Sequence, residues 1–347
     1  MKRARGRAAM VAAAATVIGS ILAAAPAQAA PRCFGKRPTI VGTDRSDRIN
    51  GTAGADVILG LGGRDRINGR GGNDRICSGD GRDLLMGKGG SDQLSGGSGN
   101  DRIRAHAGND RVVGGKGGDL IEGADGNDKL SGSSGGDYMV GGLGNDLYLG
   151  AEGSFDTVSF LRSPVGVVVD LANPAPQDTG EGIDTITGAE GAQGSDHNDV
   201  LKGDDLDLQA GNGLFGDGGT DQILGLGDDD FMEGGAGSDE GAPAPPGSLN
   251  GGTGNDIICG DFCEFLRPDE GDDDLYGDAG DDLLDGGGNA TVAGDLGDGG
   301  DGTDTCLAVE TNANCESFTP PSPFLSRLLA RARAALSAWS RVLSLGR

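Results

Sequence analysis

The chain has 347 residues, of which 70 are glycine and only 4% are aromatic, so it cannot be built around the large aromatic core of an ordinary globular domain. Its formal net charge of −26 speaks against a nucleic-acid-binding protein, because such proteins need basic surfaces. High glycine content without a collagen period usually indicates disorder, but a fixed nine-residue period in this chain predicts a repeat fold instead.

Residues 1–29 have the pattern of a secretory signal peptide. A basic start that includes Lys2 and Arg3 precedes an alanine-rich apolar run, which ends at Ala27-Gln28-Ala29. The run is too short for a membrane anchor, and no other stretch approaches the roughly 20 apolar residues of a spanning helix. We therefore expect a protein that is secreted to the extracellular space or the cell surface and has no transmembrane segment.

An aspartate recurs every nine residues through the segment 30–150. The twelve positions are Asp47, Asp56, Asp65, Asp74, Asp83, Asp92, Asp101, Asp110, Asp119, Asp128, Asp137 and Asp146. An apolar residue stands two positions after each aspartate, and glycine stands two positions before each one except at Arg45. The repeat unit is therefore G-x-x-G-x-D-x-U-x, where U is apolar.

Each position of this unit has a physical role. The D-x-U-x part predicts a short strand with U pointing inward, since side chains alternate along a strand. The glycine-rich part predicts a tight turn with exposed backbone carbonyls. Stacked coils would bring the aspartates into a column, whose carboxylates repel one another unless a hard cation such as calcium lies among them. The turn glycines expected to offer carbonyls are Gly51, Gly54, Gly60, Gly63, Gly69, Gly72, Gly87, Gly90, Gly96 and Gly99.

With these residues the chain resembles the hemolysin-type calcium-binding repeats of RTX proteins, whose pattern is G-G-x-G-x-D-x-U-x. The resemblance covers residues 42–150. It implies an all-β, right-handed parallel β-roll, or β-solenoid, in which two nonapeptides form one coil. It also implies that several calcium ions are held by the matching aspartates and by carbonyls of the glycine-rich turns.

The register becomes intermittent after residue 150. We interpret residues 151–193 as a spacer of longer β coils and residues 194–319 as a second, irregular roll. From 151 to 319 the chain carries 3 Lys and Arg against 38 Asp and Glu, so this part needs cations to stay compact. The metal-ligand candidates here are Asp199, Asp221, Asp230, Asp256, Asp273 and Asp282.

Six cysteines in an exported chain indicate disulfides. Of the 15 pairings that six cysteines allow, we predict Cys33–Cys77, Cys259–Cys263 and Cys306–Cys315. The last pair would cap the second roll.

Residues 320–347 combine a proline-rich linker with a basic amphipathic helix. Apolar residues such as Leu325, Leu328, Leu329 and Leu336 follow at helical spacing, and arginines cover the remaining face. The helix is expected to pack on the open end of the roll, to be a frayed tail, or to lie at a membrane or envelope surface.

No catalytic constellation stands out, so we expect a non-enzymatic, calcium-binding extracellular protein with a structural or adhesive role. A cell-envelope polymer or surface is the candidate partner. The first alternative is an accessory or non-catalytic remnant of a secreted RTX protease, lipase or polysaccharide-modifying enzyme. The second is an ice-binding solenoid, although no outward threonine rank recurs at the repeat period.

Overall fold

A computed structural model describes residues 32–151, 155–204, 211–236, 249–253, 257–259, 274–279, 282–285, 296–298, 305–307 and 311–313. This part of the chain is all-β, and it contains no helix that could span a membrane. The predicted signal peptide, the C-terminal helix, Asp256, Asp273, Cys263 and Cys315 lie outside the described residues.

The strands follow one another at nearly regular intervals. In chain order they are β1 (Ile40–Val41), β2 (Arg48–Asn50), β3 (Val57–Gly62), β4 (Arg66–Gly71), β5 (Arg75–Asp80), β6 (Leu84–Gly89), β7 (Gln93–Ser98), β8 (Arg102–Ala107), β9 (Arg111–Lys116), β10 (Leu120–Asp125), β11 (Lys129–Ser134), β12 (Tyr138–Leu143), β13 (Leu147–Leu149), β14 (Thr157–Ser159) and β15 (Val168–Asp170). They continue with β16 (Gln177–Asp178), β17 (Ile183–Thr187), β18 (Gly191–Gln193), β19 (Val200–Lys202), β20 (Gly213–Gly218), β21 (Gln222–Gly227), β22 (Phe231–Ala236), β23 (Leu249–Thr253), β24 (Ile257–Cys259), β25 (Asp274–Ala279), β26 (Leu283–Asp285), β27 (Leu296–Asp298), β28 (Thr305–Leu307) and β29 (Thr311–Ala313).

The strands form a parallel β-solenoid, as predicted. Odd-numbered strands from β1 to β13 build one sheet and even-numbered strands from β2 to β14 build the opposite one. Pairing joins residues 18 positions apart, as in Arg48 with Arg66 and Leu120 with Tyr138, so two nonapeptides make one coil. Only the edge strand β16 pairs antiparallel in the described part, with β17.

The inward side chains form one continuous apolar ladder. In β5, Ile76 and Ser78 are fully buried while Arg75 and Cys77 face outward, and the other regular strands repeat this alternation. The prediction that U points inward is confirmed: eleven of the twelve U residues from Ile49 to Tyr148 are 0% exposed, and Ile49 is 8% exposed. At about 0.8 kcal/mol per buried methylene, this ladder is the main apolar contribution to folding.

The strands are longer than the D-x-U-x pattern predicts. Each regular strand begins one residue after the aspartate and runs for six residues into the glycine-rich part. The chain bends sharply at left-handed residues, for example Gly79 with φ 108° and Gly81 with φ 142°. Because two such residues are enough to reverse the chain, the turn occupies fewer residues than expected.

The even-numbered sheet continues through the predicted spacer. Its thirteen strands run from β2 over β14, β18 and β20 to β28. The opposite sheet ends at β17 and β16, and a seven-stranded sheet from β15 to β29 accompanies the later coils. At this junction the rings of Tyr148 and Phe160 pack with centroids 6.0 Å apart, and both side chains are fully buried. The predicted division at residues 150 and 193 therefore does not interrupt the thirteen-stranded sheet, and the domain boundaries stay a prediction.

Cys33 and Cys77 have the geometry of a disulfide, with sulfur atoms 2.14 Å and Cα atoms 5.7 Å apart. The bond would close a loop of 44 residues and tie the chain entry to β5. Such a loop stabilises by about 4 kcal/mol in the chain-entropy model. We expect the double variant Cys33→Ser/Cys77→Ser to melt well below the wild type in saturating calcium, measured by calorimetry. An unchanged melting temperature that reducing agent also fails to lower would contradict this role.

Candidate metal centre

The repeat aspartates form two columns, one beginning at Asp47 and the other at Asp56. In each column the backbone N–H of one aspartate donates to Oδ1 of the aspartate 18 residues later, over 2.7–2.8 Å. Asp47, Asp65, Asp83, Asp101, Asp119 and Asp137 form the first column, and Asp56, Asp74, Asp92, Asp110, Asp128 and Asp146 the second. One carboxylate oxygen of each aspartate from Asp65 to Asp146 is thereby engaged.

The second carboxylate oxygen, Oδ2, is buried and lacks a hydrogen-bond partner in ten of these residues. They are Asp65, Asp74, Asp83, Asp92, Asp101, Asp110, Asp119, Asp128, Asp137 and Asp146. A buried carboxylate oxygen with neither water nor a donor is strongly unfavourable, so ten in succession require a shared explanation. A bound cation or a proton would satisfy each of them.

A glycine stands five residues before each column aspartate except Asp83 and Asp110, where Ser78 and Ala105 take its place, and it leaves the space that Oδ2 occupies. A Cβ placed on Gly69 would lie 2.3 Å from Asp74 Oδ2 and 3.0 Å from the carbonyl oxygen of Gly87 in the next coil. The equivalent Cβ on Gly87 would lie 2.3 Å from Asp92 Oδ2 and 2.9 Å from the carbonyl oxygen of Ala105. A carboxylate oxygen and a backbone carbonyl oxygen therefore face the same small space.

Burial raises the pKa of the column carboxyls from Asp65 to Asp146. It brings the pKa of Asp101 to about 6, those of Asp92, Asp119 and Asp128 to about 7, and those of Asp137 and Asp146 to about 8. The backbone hydrogen bond to Oδ1 opposes this rise, and neighbouring carboxylates add to it. The charged columns are thus destabilised at neutral pH unless a positive ion neutralises them.

In three predicted ligands, Oδ2 already accepts hydrogen bonds from the turn that precedes the aspartate. Asp47 Oδ2 accepts the backbone N–H of Thr43 at 2.6 Å and its hydroxyl at 2.9 Å, and Thr52 does the same for Asp56. Asp199 Oδ2 accepts the backbone N–H of Ser195 at 2.6 Å. These carboxylates have less need of a cation than the ten between Asp65 and Asp146.

The donor set fits calcium if carbonyl oxygens supply most of the ligands. In the described residues no three or more His, Cys, Asp and Glu side chains come together as a metal-binding group. Calcium takes six to eight oxygens, and it accepts carboxylate and backbone carbonyl oxygens alike. One carboxylate per nonapeptide with neighbouring carbonyls meets this requirement, whereas a site of several carboxylates is not present in that part of the chain.

The predicted carbonyl donors fall into two groups. Gly54, Gly63, Gly72, Gly90 and Gly99 lie in the bends before the aspartates. Gly60, Gly69, Gly87 and Gly96 lie inside strands, and Gly51 directly follows β2, so these five are not turn residues as predicted. At these five positions a Cβ would lie 2.3–2.8 Å from Oδ2 of the following aspartate.

The columns extend beyond the predicted residues into the spacer. The N–H of Asp137 donates to Asp156 Oδ1, that of Asp146 to Asp184 Oδ1, and that of Asp156 to Glu190 Oε2. All three acceptors precede a buried apolar residue by two positions, so a search for D-x-U and E-x-U outside the nine-residue register could have found them. The loop lengths change while the columns persist.

The later candidates are buried as well. Asp221, Asp230 and Asp282 are at most 3% exposed, and the N–H of Asp199 donates to Asp221 Oδ1 at 2.8 Å. Asn212 takes an aspartate position and its N–H donates to Asp230 Oδ1 at 2.6 Å.

Comparison with known families agrees with this geometry. The model of the RTX calcium-binding nonapeptide repeat (4 copies) matches residues 41–76, 78–112, 86–121, 113–148, 214–240 and 248–262. No curated protein shows a significant match to the chain.

Proposed function

We propose, from the match of residues 41–76, 78–148, 214–240 and 248–262 to RTX calcium-binding nonapeptide repeats, that this chain is an extracellular, non-enzymatic protein whose β-solenoid folds on binding several calcium ions. The observation that carries the proposal is the run of ten buried Oδ2 atoms from Asp65 to Asp146. The proposed use is structural or adhesive work at the cell surface.

The chain's own residues account for a calcium-dependent fold. Bound calcium would supply positive charge and oxygen coordination between adjacent coils. Without it, Asp65 to Asp146 bury their carboxylates at a cost that the apolar ladder has to offset. Because the site exists only when coils are stacked, the free energy of calcium binding adds directly to the free energy of folding.

The calcium dependence of the fold would also explain how the chain is exported. At low calcium the chain would remain extended and suited to secretion, and at roughly millimolar calcium outside the cell it would fold. A structural role is supported by the length of the stretches that the repeat model leaves unmatched, 149–213 and 263–347, both shorter than most domains.

Far-UV circular dichroism during a calcium titration tests the proposal, with magnesium as the control ion. We expect a coil-to-β transition with calcium and none with magnesium, because magnesium dehydrates reluctantly and demands strict octahedral geometry. A spectrum that does not change with calcium, or a transition equally well produced by magnesium, would contradict the proposal.

Two variants test whether the calcium-induced folding depends on the aspartate columns. Asp101→Asn keeps the Oδ1 acceptor for Asp83 N–H but removes the buried charge. We expect it to raise the calcium midpoint and to lower the number of ions bound, counted by isothermal titration. Asp44→Asn, at an exposed position before Asp47, is the matched control and should behave as wild type. Equal behaviour of the two variants would argue against ligation by the columns.

A further inference from the structure

A cleft lies on the outer face of the thirteen-stranded sheet, beside the turn that follows β14. The outward side chains of β8, β10 and β12 line it, together with Leu161 and Arg162. Strand pairing sets the lining residues in two rows, with Arg102, Leu120 and Tyr138 in one and Arg104, Glu122 and Val140 in the other. The cleft is therefore built by regular strands and closed on one side by the spacer.

Two arginines in this cleft share one carboxylate. Glu122 Oε2 lies 2.9 Å from Arg104 Nε, and Glu122 Oε1 lies 2.7 Å from a terminal nitrogen of Arg162. Arg102 also lines the cleft, so the charged lining has three positive groups against one negative group. Burial lowers the pKa of Arg102, and repulsion from Arg104 and Arg162 lowers it further. An added anion would relieve this excess of positive charge.

The floor of the cleft is apolar and firmly held. Leu120, Val140 and Tyr138 form it, and Tyr138 is only 5% exposed. The Tyr138 hydroxyl donates to Gln193 Oε1, and Ser159 donates to the same oxygen at 3.0 Å. Ligand clefts commonly combine such an apolar floor with a few converging polar groups.

We propose that this arginine cleft binds the carboxylate of an acidic sugar in an anionic polysaccharide. The planar guanidinium matches a carboxylate through two parallel hydrogen bonds, and the apolar floor can pack against the C–H face of a sugar ring. Positive charge continues along the same face, where Arg70 of β4 pairs in register with Lys88 of β6. A stripe of this kind suits a chain of anionic units better than a single small anion.

Calcium binding would strengthen the attraction. Residues 30–150 carry 16 Lys and Arg against 16 Asp and Glu, and twelve of those acids are the repeat aspartates. When cations neutralise the columns, the outward arginines dominate the field around the first coils. The inference thus rests on the proposed function for a folded, calcium-loaded roll.

The test is isothermal titration of the calcium-saturated full chain with a hyaluronan decasaccharide, which carries glucuronate carboxylates. We expect binding that weakens with salt. The double variant Arg104→Gln/Arg162→Gln should lose about tenfold or more in affinity, since it removes two charge-assisted donors. Arg111→Gln, at an exposed position on the opposite sheet, is the matched control and should bind as wild type. Glu122→Gln should bind more tightly, because it removes the competing carboxylate.

Two further titrations test whether the cleft recognises the sugar carboxylate and not a neutral sugar or a small anion. A neutral oligosaccharide of equal length should not bind, and sodium sulfate should bind more weakly than the decasaccharide. Sulfate binding of equal strength, or equal decasaccharide binding by wild type and the double arginine variant, would overturn the proposal. Circular dichroism of each variant in calcium distinguishes failure of the calcium-dependent fold from failure of the cleft as a binding site. A wild-type protein that folds with calcium but does not bind the decasaccharide refutes only the cleft.

Discussion

Removal of calcium is expected to destabilise the roll far more at pH 8 than at pH 5. In the metal-free fold the pKa values of Asp137 and Asp146 lie at about 8, against an ordinary value of 3.8. Between these values the folded chain binds protons that the unfolded chain releases, so stability is highest below about pH 4 for these groups and falls as the pH rises towards 8. Protons would thus replace calcium in part at low pH.

Thermal melting in a chelator, measured from pH 5 to pH 8, checks this expectation. The melting temperature should fall steadily with pH in chelator and should change much less in saturating calcium. The double variant Asp137→Asn/Asp146→Asn should flatten the slope in chelator, because it removes two groups with raised pKa values. The exposed control Asp44→Asn should leave the slope unchanged. A metal-free melting temperature that rises from pH 5 to pH 8 would show that the buried columns do not govern stability.

Alanine in place of Gly99 is expected to disrupt the stacking of adjacent coils. A Cβ at this position would lie 1.7 Å from the carbonyl oxygen of Gly81, and the backbone has φ +132°, which alanine rarely adopts. The combined clash and backbone strain should lower the free energy of unfolding by about 2–4 kcal/mol. Urea unfolding in saturating calcium measures this loss.

Gly89→Ala is the matched control in the same part of the roll. A Cβ on Gly89 would meet no heavy atom within 4 Å, so this variant should be as stable as wild type. Similar losses for the two variants would show that the loss at Gly99 does not come from contact with the adjacent coil.

Much of the fold follows from the nine-residue period. The aspartate and the apolar residue two positions later keep their spacing through twelve units, and this period alone implies stacked coils, an inward apolar ladder and aspartate columns. The ends of the strands could be predicted less well from the sequence, because left-handed bends occur at Arg70, Lys88 and His106 as well as at glycine. A pattern based on glycine alone misses bends of that kind.

The continuation of the columns through the spacer was hidden for a different reason. Asp156, Asp184 and Glu190 take the places of repeat aspartates, but the intervening loops vary in length and remove the period. Strand pairing restores the alignment, since β14 and β18 continue the same sheet. The strands therefore stay aligned in the sheet although the nine-residue spacing along the chain is lost.

The sequence by itself determined which aspartates of the regular repeats enter the columns, whereas only the tertiary structure decided which of their carboxylates keep an unsatisfied oxygen. The difference lies four residues before each aspartate. Ser195 is not left-handed and turns its N–H towards Asp199 Oδ2. Ser133, at the same place in its repeat, has φ 82° and leaves Asp137 Oδ2 without a donor. Ser133 pairs in register with Gly115 of a regular coil, while Ser195 follows the end of β18. The same residue type therefore adopts opposite backbone conformations, because the neighbouring coil fixes the path of the chain.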